Sequence, residues 1–477
     1  MTVPIVPGFH PDPSICRVGG TYYLANSSFE YVPGVPIRRS TDLVSWELVG
    51  HALTRPSQLP PSEGAANTGI YAPTLRHRDG RFHLVTTNIL EAGRGQLIVT
   101  AEDPAGPWSD PVHVPGTDGI DPDLCWDDTG VCHLTWASFR PELRGIASVP
   151  VDPATGAVLG EPRLLWNGTG LAAPEGPHLY RVDGWWYLLL AEGGTERGHA
   201  VTVARARSLA GPYEPAPTNP ILTHRSTTHP VQNTGHADLV ECADGSWAMV
   251  HLGVRPRGKT PQFHVNGRET FLAGVDWVDG WPVVDENRFT VPPADHSFED
   301  DFAELHPRWV APGAPPVVHR TGSGALVHSG FLLTRAMDEY WTAVAHLDVS
   351  GGTAAFVVRI DDRHWYGLTA DGSTVTATVA IGPAVQTVTA VAAGSLVSLR
   401  IRALEPPVSG PFREITEPDL IELSVLAGDG QADVLGSFDG RYLSTEVAAG
   451  FTGRMIGVRV LGGTVTLRGF RYTTDRA

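Results

Sequence analysis

The sequence predicts an all-β protein: a five-bladed β-propeller followed by a jelly-roll-like β-sandwich. The first observation behind this is a repeat. A turn glycine followed by an aromatic or bulky residue and an apolar run recurs at Gly20, Gly80, Gly130, Gly184 and Gly245. The interval is about 50–60 residues, in the range of propeller blades. The second observation is composition. The 53 glycines and 40 prolines among 477 residues call for many turns, and no long amphipathic helix is evident between them. The third is a change of texture near residue 295. Thr290-Val291-Pro292-Pro293-Ala294-Asp295-His296 reads as a linker, because consecutive prolines cannot join a central strand.

Each element follows from local pattern. The repeated glycines mark hairpins joining the first two strands of each blade. Outer strands are signalled by stretches such as residues 41–48 and Gly211-Pro212-Tyr213. Residues 275–284 form an aromatic hairpin around Asp279-Gly280, a strong turn dipeptide. Beyond the linker, residues 344–349, 374–380, 396–402 and 456–460 alternate or nearly alternate, as half-buried strands do. Several such strands suggest an antiparallel sandwich. A chain of this length exceeds one ordinary core, and the expected division is a propeller over 1–295 and a sandwich over 296–477.

The net charge of −17 disfavours nucleic acid or an anionic membrane as partner, since either needs a basic face, so a neutral substrate is expected. The first residues lack a basic and apolar leader pattern. No stretch approaches the ~18 uninterrupted apolar residues of a membrane span. A cytoplasmic location is the expectation. Cys16, Cys125, Cys132 and Cys242 show no metal-ligand spacing, so no structural zinc is expected. Cys125 and Cys132 flank a turn and could face each other across it, but reduced thiols are the plainer reading.

Eight or nine residues before the five glycines stand Asp12, Tyr71, Asp121, Glu175 and His236. Equivalent positions in successive blades point at a common axis, so these residues should gather into one site. Prolines on both sides of Asp12 restrict its backbone, although Asp-Pro is also a common turn. Asp121 repeats the Asp-Pro pair, with Asp123 expected on the same strand face. Glu175, between Pro174 and Gly176, has no capping role to explain it. Paired carboxylates suit glycosidic cleavage, where one donates a proton to the leaving oxygen and another activates water. A third negative charge favours the protonated form of the acid. His236 suits a sugar hydroxyl, a carboxylate or an axial cation. Arg268, beside a turn glycine, is either a surface ion pair or a forked donor to vicinal hydroxyls. Phe29, Tyr71 and Trp136 fall at or just past strand ends, as blade core or as flat walls of a sugar pocket.

The runs GFHPDPS (8–14), SSFEYVPGVPI (27–37), GIDPDL (119–124), EGPHLY (175–180), AEGGT (191–195), GHADLVE (235–241) and GRET (267–270) resemble glycoside hydrolase family 43. The nearest pattern is that of β-xylosidases and α-L-arabinofuranosidases with an appended C-terminal β-sandwich, which residues 443–447 and 450–453 also resemble. The resemblance implies an inverting, exo-acting hydrolase with Asp12 as general base and Glu175 as general acid. Asp121 then tunes and orients the acid, while Arg268, His236 and Phe29 bind sugar. Tyr71 stands where many relatives carry tryptophan. No cofactor is implied, although some members hold calcium or another cation on the axis through the histidine. The implied partner is a short xylo- or arabinoxylo-oligosaccharide, with β-xylosidase favoured over α-L-arabinofuranosidase, and intracellular relatives often form homo-oligomers. A non-catalytic carbohydrate-binding propeller is the rival, and the presence of all three carboxylates argues against it.

Overall fold

Each repeated glycine closes the hairpin between the first two strands of a blade. Val18 pairs with Thr21 across Gly19-Gly20, Arg78 with Arg81 across Asp79-Gly80, and Val182 with Trp185 across Asp183-Gly184. At the latter two turns both central residues have positive φ, 51° and 76° at Asp79-Gly80 and 47° and 77° at Asp183-Gly184. That is the turn whose twist matches a two-residue hairpin, and it explains the Asp-Gly pair. The computed structural model describes residues 3–258, 261–321, 324–406 and 419–475.

Five antiparallel sheets follow one another along the first part of the chain. Their first strands are Ser14–Val18, Thr74–Arg78, Gly119–Trp126, Glu175–Val182 and Gln232–Glu241. Each first strand neighbours those of adjacent blades, and the fifth neighbours the first, so the five surround a common axis. Four blades have four strands and the third has five. The ring is closed by a bridge between Val6 and Thr270. The last hairpin pairs Val278 with Trp281 across Asp279-Gly280, at the place the dipeptide predicts.

Apolar clusters fill the blades and the spaces between them. One joins Val85 and Ile98 of the second blade to Leu124, Leu134 and Trp136 of the third. Another joins Leu189 and Val203 of the fourth to Leu239, Met249 and Ala273 of the fifth. Cys125 pairs with His133 and Cys132 with Trp126. The two cysteines are therefore offset by one position and enter different clusters. All four cysteines are buried free thiols.

Among the described residues the second unit is built on one large antiparallel sheet of twelve strands bent into two layers. Two long strands, Trp341–Arg359 and Met455–Thr474, run through both layers. They pair with register shifts at His346/Leu347, Asp348/Gly351 and Thr353/Ala354, and such irregularities let a strand bend from one layer to the other. The first half of Trp341–Arg359 pairs with Leu396–Leu404 and its second half with His364–Ala370. Their inward residues, including Trp341, Leu347, Phe356, Leu368 and Ile401, share one core. Among the described residues the only α-helix is the four-residue segment Thr445–Ala448.

By contacts, the first unit holds the chain up to Val6 with His10–Val254 and Glu269–Pro292. The second holds Pro7–Phe9, Arg255–Arg268 and Pro293 to the C-terminus. The main break between the units falls between Pro292 and Pro293. The segment Arg255–Arg268 departs from the reading that kept it in the propeller, and polar contacts explain why. Within the second unit His264 Nδ1 lies 2.7 Å from Glu446 and Arg257 Nε lies 3.1 Å from Glu339. The Arg454 amide also donates to the carbonyl of Val265 at 3.2 Å.

Candidate active site

The residues expected at the axis sit where the first strands begin, and the backbone there is unusual. Asp12, Asp121 and His236 have φ of 51°, 57° and 44°, and Gly176 has φ of 56°. Three of these positions fall inside register slips, between Ile120 and Asp123, Glu175 and His178, and Gly235 and Asp238. A bulge with a left-handed residue turns its side chain out of the strand's alternation. L-residues take this conformation only at a cost of about 1–3 kcal/mol, which the surrounding structure must hold in place.

In the fourth blade the left-handed position is Gly176, and Glu175 stands one residue before it. A Cβ on Gly176 would lie 2.8 Å from His236 Nε2. The missing side chain thus makes room for the histidine ring. Gly235, the residue before that histidine, makes room for His199 instead, since a Cβ there would lie 2.4 Å from the His199 ring.

These residues link around the axis. Ser27 Oγ donates to Asp12 Oδ2 at 2.5 Å, and Asp12 Oδ1 lies 3.5 Å from His236 Nδ1. The His236 ring packs on Gly176, whose amide donates to Asp121 Oδ2 at 3.3 Å. The Asp12 loop is fixed from behind, because Asn26 Nδ2 donates to the carbonyls of His10 and Pro11 and Thr270 Oγ1 donates to that of His10. Asp12, Asp121 and His236 are buried, whereas Glu175 is more open. Glu175 borders a cavity of about 460 Å³ together with Ser138, Phe139, Arg144, Asn167 and Pro174. Sequence reading did not single out that wall. The one available signal was an aromatic, Phe139, just past a strand end, which is 59% exposed here.

The aromatic expectations divide. The rings of Phe29 and Tyr71 meet with centroids 5.2 Å apart, and Tyr71 Oη donates to the carbonyl of Asn67 at 3.0 Å. Trp136 is corrected: it is fully buried, its indole N–H donates to the carbonyl of Asp118, and it packs within the core of the third blade. No face of that ring is open to a sugar. Arg268 belongs by contacts to the second unit. There it lies 5.4 Å from the Phe451 ring and donates to the Phe451 carbonyl at 3.3 Å.

Asp123 is also corrected. The slip before it removes it from the face of Asp121 and places it in a second polar layer. There Arg76 pairs with Asp123 at 2.9 Å and with Asp238 at 2.7 Å. Ser14 Oγ and Tyr180 Oη donate to Asp238 at 2.7 and 2.5 Å, and His178 Nδ1 lies 3.0 Å from Arg76. One residue or more from each of the five blades enters this layer. Burial alone would push the Asp238 carboxyl up. Arg76, His178 and Tyr180 outweigh it and hold the carboxyl far below the usual range. Arg76 escaped sequence reading because a lone arginine in a strand carries no motif.

Residues 1–282 match the family model for glycosyl hydrolases family 43. The non-reducing end alpha-L-arabinofuranosidase BoGH43B of Bacteroides ovatus is 36% identical, over 96% of this chain and 91% of that protein. The xylosidase/arabinosidase of Butyrivibrio fibrisolvens is 47% identical over 59% of this chain, a match spanning 56% of that protein. The crystal structure of xylan beta-1,4-xylosidase from Bacillus halodurans superposes with a TM-score of 0.87 at 29% identity, covering 99% of this chain and 100% of that one. With the propeller, its axial carboxylates and these matches in agreement, the chain belongs to glycosyl hydrolases family 43.

Proposed function

We propose that this glycoside hydrolase is inverting and exo-acting, and that it releases xylose, arabinose or both from short xylo- or arabinoxylo-oligosaccharides. β-Xylosidase is the favoured activity and α-L-arabinofuranosidase the alternative. The observation that carries the reading is the linked arc from Asp12 through His236 and Gly176 to Asp121, with Glu175 covalently next to its glycine. The names of the relatives support both sugars, since one is an arabinofuranosidase and another a xylosidase/arabinosidase.

In this mechanism the glycosidic C–O bond breaks as Glu175 gives its proton to the leaving oxygen. Water attacks the opposite face of the anomeric carbon and loses a proton to Asp12. Ser27 keeps one oxygen of Asp12 occupied, which directs the other. Asp121, bonded to the Gly176 amide, fixes the backbone that carries the acid and places negative charge beside it. Phe29 and Tyr71 are proposed as an apolar wall, and for Arg268 the role of donor to sugar hydroxyls comes from the resemblance of its GRET run alone. In this reading the reaction requires no cofactor. Should calcium or another cation occupy the axis, His236 is the residue to hold it, with Asp12 behind its Nδ1 in the carboxylate–imidazole arrangement common among metal-bound histidines. The ion would supply positive charge there. The four buried free thiols support a cytoplasmic location, which cell fractionation tests.

The test is hydrolysis of 4-nitrophenyl β-D-xylopyranoside and 4-nitrophenyl α-L-arabinofuranoside, side by side, by the intact chain and by Glu175→Ala. We expect release that falls by about 10²–10⁴-fold in the variant, the usual worth of a positioned acid. The ratio of the two rates then names the main activity. Equal rates in the intact chain and a folded variant would remove Glu175 from the chemistry.

A further inference from the structure

We propose that the propeller carries a transition-metal site away from its axis, formed by His224, His229 and Glu286 and suited to zinc. One ligand atom from each of the three lies within 4.8 Å of the other two. His224 and His229 lie in the connection leading to the fifth blade, and Glu286 follows that blade's last strand, Trp281–Asp285.

Hydrogen bonding orients both imidazoles. His224 Nδ1 lies 2.7 Å from the carbonyl of Val231, and His229 Nδ1 lies 3.1 Å from the same oxygen. A carbonyl only accepts, so the His224 ring carries a proton on Nδ1 and turns its Nε2 outward, whereas His229 Nδ1 also accepts from the Val231 amide at 3.2 Å, a contact that holds the ring without fixing its tautomer. A backbone carbonyl behind Nδ1 is the usual support of a metal-bound histidine.

The outward side is what calls for a cation. Nε2 of His224 faces the Glu286 carboxylate at 2.9–3.1 Å. A carboxylate also only accepts, so two lone pairs oppose each other unless a proton or a metal ion lies between them. The His229 ring stands 3.8 Å from that of His224, centroid to centroid, and adds a third donor to the same space. A proton would satisfy the His224–Glu286 contact but would give His229 no part. One divalent ion uses all three groups.

Two imidazoles and a carboxylate form a zinc donor set that leaves a fourth position for water. The connection is also held in shape by its own bonds. Thr227 Oγ1 donates to the His224 carbonyl and Gln232 Nε2 to that of His229, so little ordering remains to oppose binding. The bound ion would tie the connection before the fifth blade to the segment after it. The site is separate from the carboxylates of the proposed reaction, and neither proposal depends on the other.

The experiment is equilibrium dialysis of the untagged, EDTA-treated chain against Zn²⁺, with Co²⁺ absorption and thermal unfolding alongside. We expect one zinc per chain, an intense tetrahedral-type Co²⁺ spectrum and a Tm that rises with zinc and returns with EDTA. In His229→Ala and in Glu286→Gln the zinc affinity should fall by at least about 10–100-fold, the loss that even an outer-shell change causes, and the Tm response should vanish. No binding, or binding and a Tm response equal in the intact chain and both variants, would overturn the site. That second pattern would mean adventitious uptake by other histidines. A variant that fails to fold is replaced by His229→Gln, which keeps size and polarity and carries the same expectation.

Discussion

Asp121 and Asp123 are the same residue type two positions apart, both buried, and they belong to different layers of the propeller. The upper layer holds Asp12, Asp121 and His236 on left-handed backbone, bordered by the more open Glu175. The lower layer holds Ser14, Arg76, Asp123, His178, Tyr180 and Asp238, bound to one another across all five blades. Charge that is matched by neighbours holds strands together. Charge at the mouth sits on left-handed backbone, next to the more open Glu175. The bulge between the layers separates the two.

That contrast can be broken first at the upper layer. Asp12→Asn keeps the acceptor for Ser27 but removes the proton acceptor, and turnover of both nitrophenyl glycosides should fall by about 10²–10⁴-fold. The urea midpoint should move little, because asparagine keeps the size of the side chain and the acceptor for Ser27. A large loss of stability with little loss of turnover would reverse the assignment of the two layers.

The lower layer predicts the opposite pattern. Arg76→Met leaves Asp123 and Asp238 buried without their cation, and such breakage costs about 3–5 kcal/mol. Urea unfolding reads this directly. Turnover per folded molecule should change far less than in Asp12→Asn.

Gly176→Ala probes the seam between the layers. Its methyl would meet the His236 ring, and φ of 56° is unfavourable for alanine. A loss of about 1–3 kcal/mol is expected, with reduced turnover because Glu175 is its neighbour. Unchanged turnover and stability would mean that the ring moves aside freely.

The smallest effect is on pH dependence. The carboxyl of Asp238 is held below its unfolded value, so the unfolded chain binds more protons as pH falls. Its stabilising share is complete above the ordinary carboxylate range and is lost as pH falls through the depressed folded value. Chemical denaturation of the intact chain at stepped pH should show that acid loss, and Asp238→Asn should show a shallower one. Equal slopes would assign the acid sensitivity to other carboxylates.

The second unit makes the same point by a different route. Its core is almost wholly apolar, shared by both layers of one bent sheet. The buried pair of Arg454 and Asp419 also accounts for the carbonyls of Leu443 and Gly440. Alternation foretold this region well because packing of apolar faces is what sets its register.

Sequence alone determined the number of blades, the hairpin turns and the residues that open each first strand. Those features rest on local rules: glycine or Asp-Gly at left-handed turns, alternation along strands, and prolines that stop pairing. Tertiary structure decided which side of a strand each polar residue would serve. A one-residue slip moved Asp123 away from Asp121 and let Gly176 rather than Glu175 take the bulge. Packing between strands buried Trp136. The pairing of Arg76 with Asp123 and Asp238 joins residues up to 162 positions apart, and the grouping of His224 and His229 with Glu286 spans up to 62. No local pattern encodes such distances, because they are fixed only when the ring of blades closes and brings remote strands together.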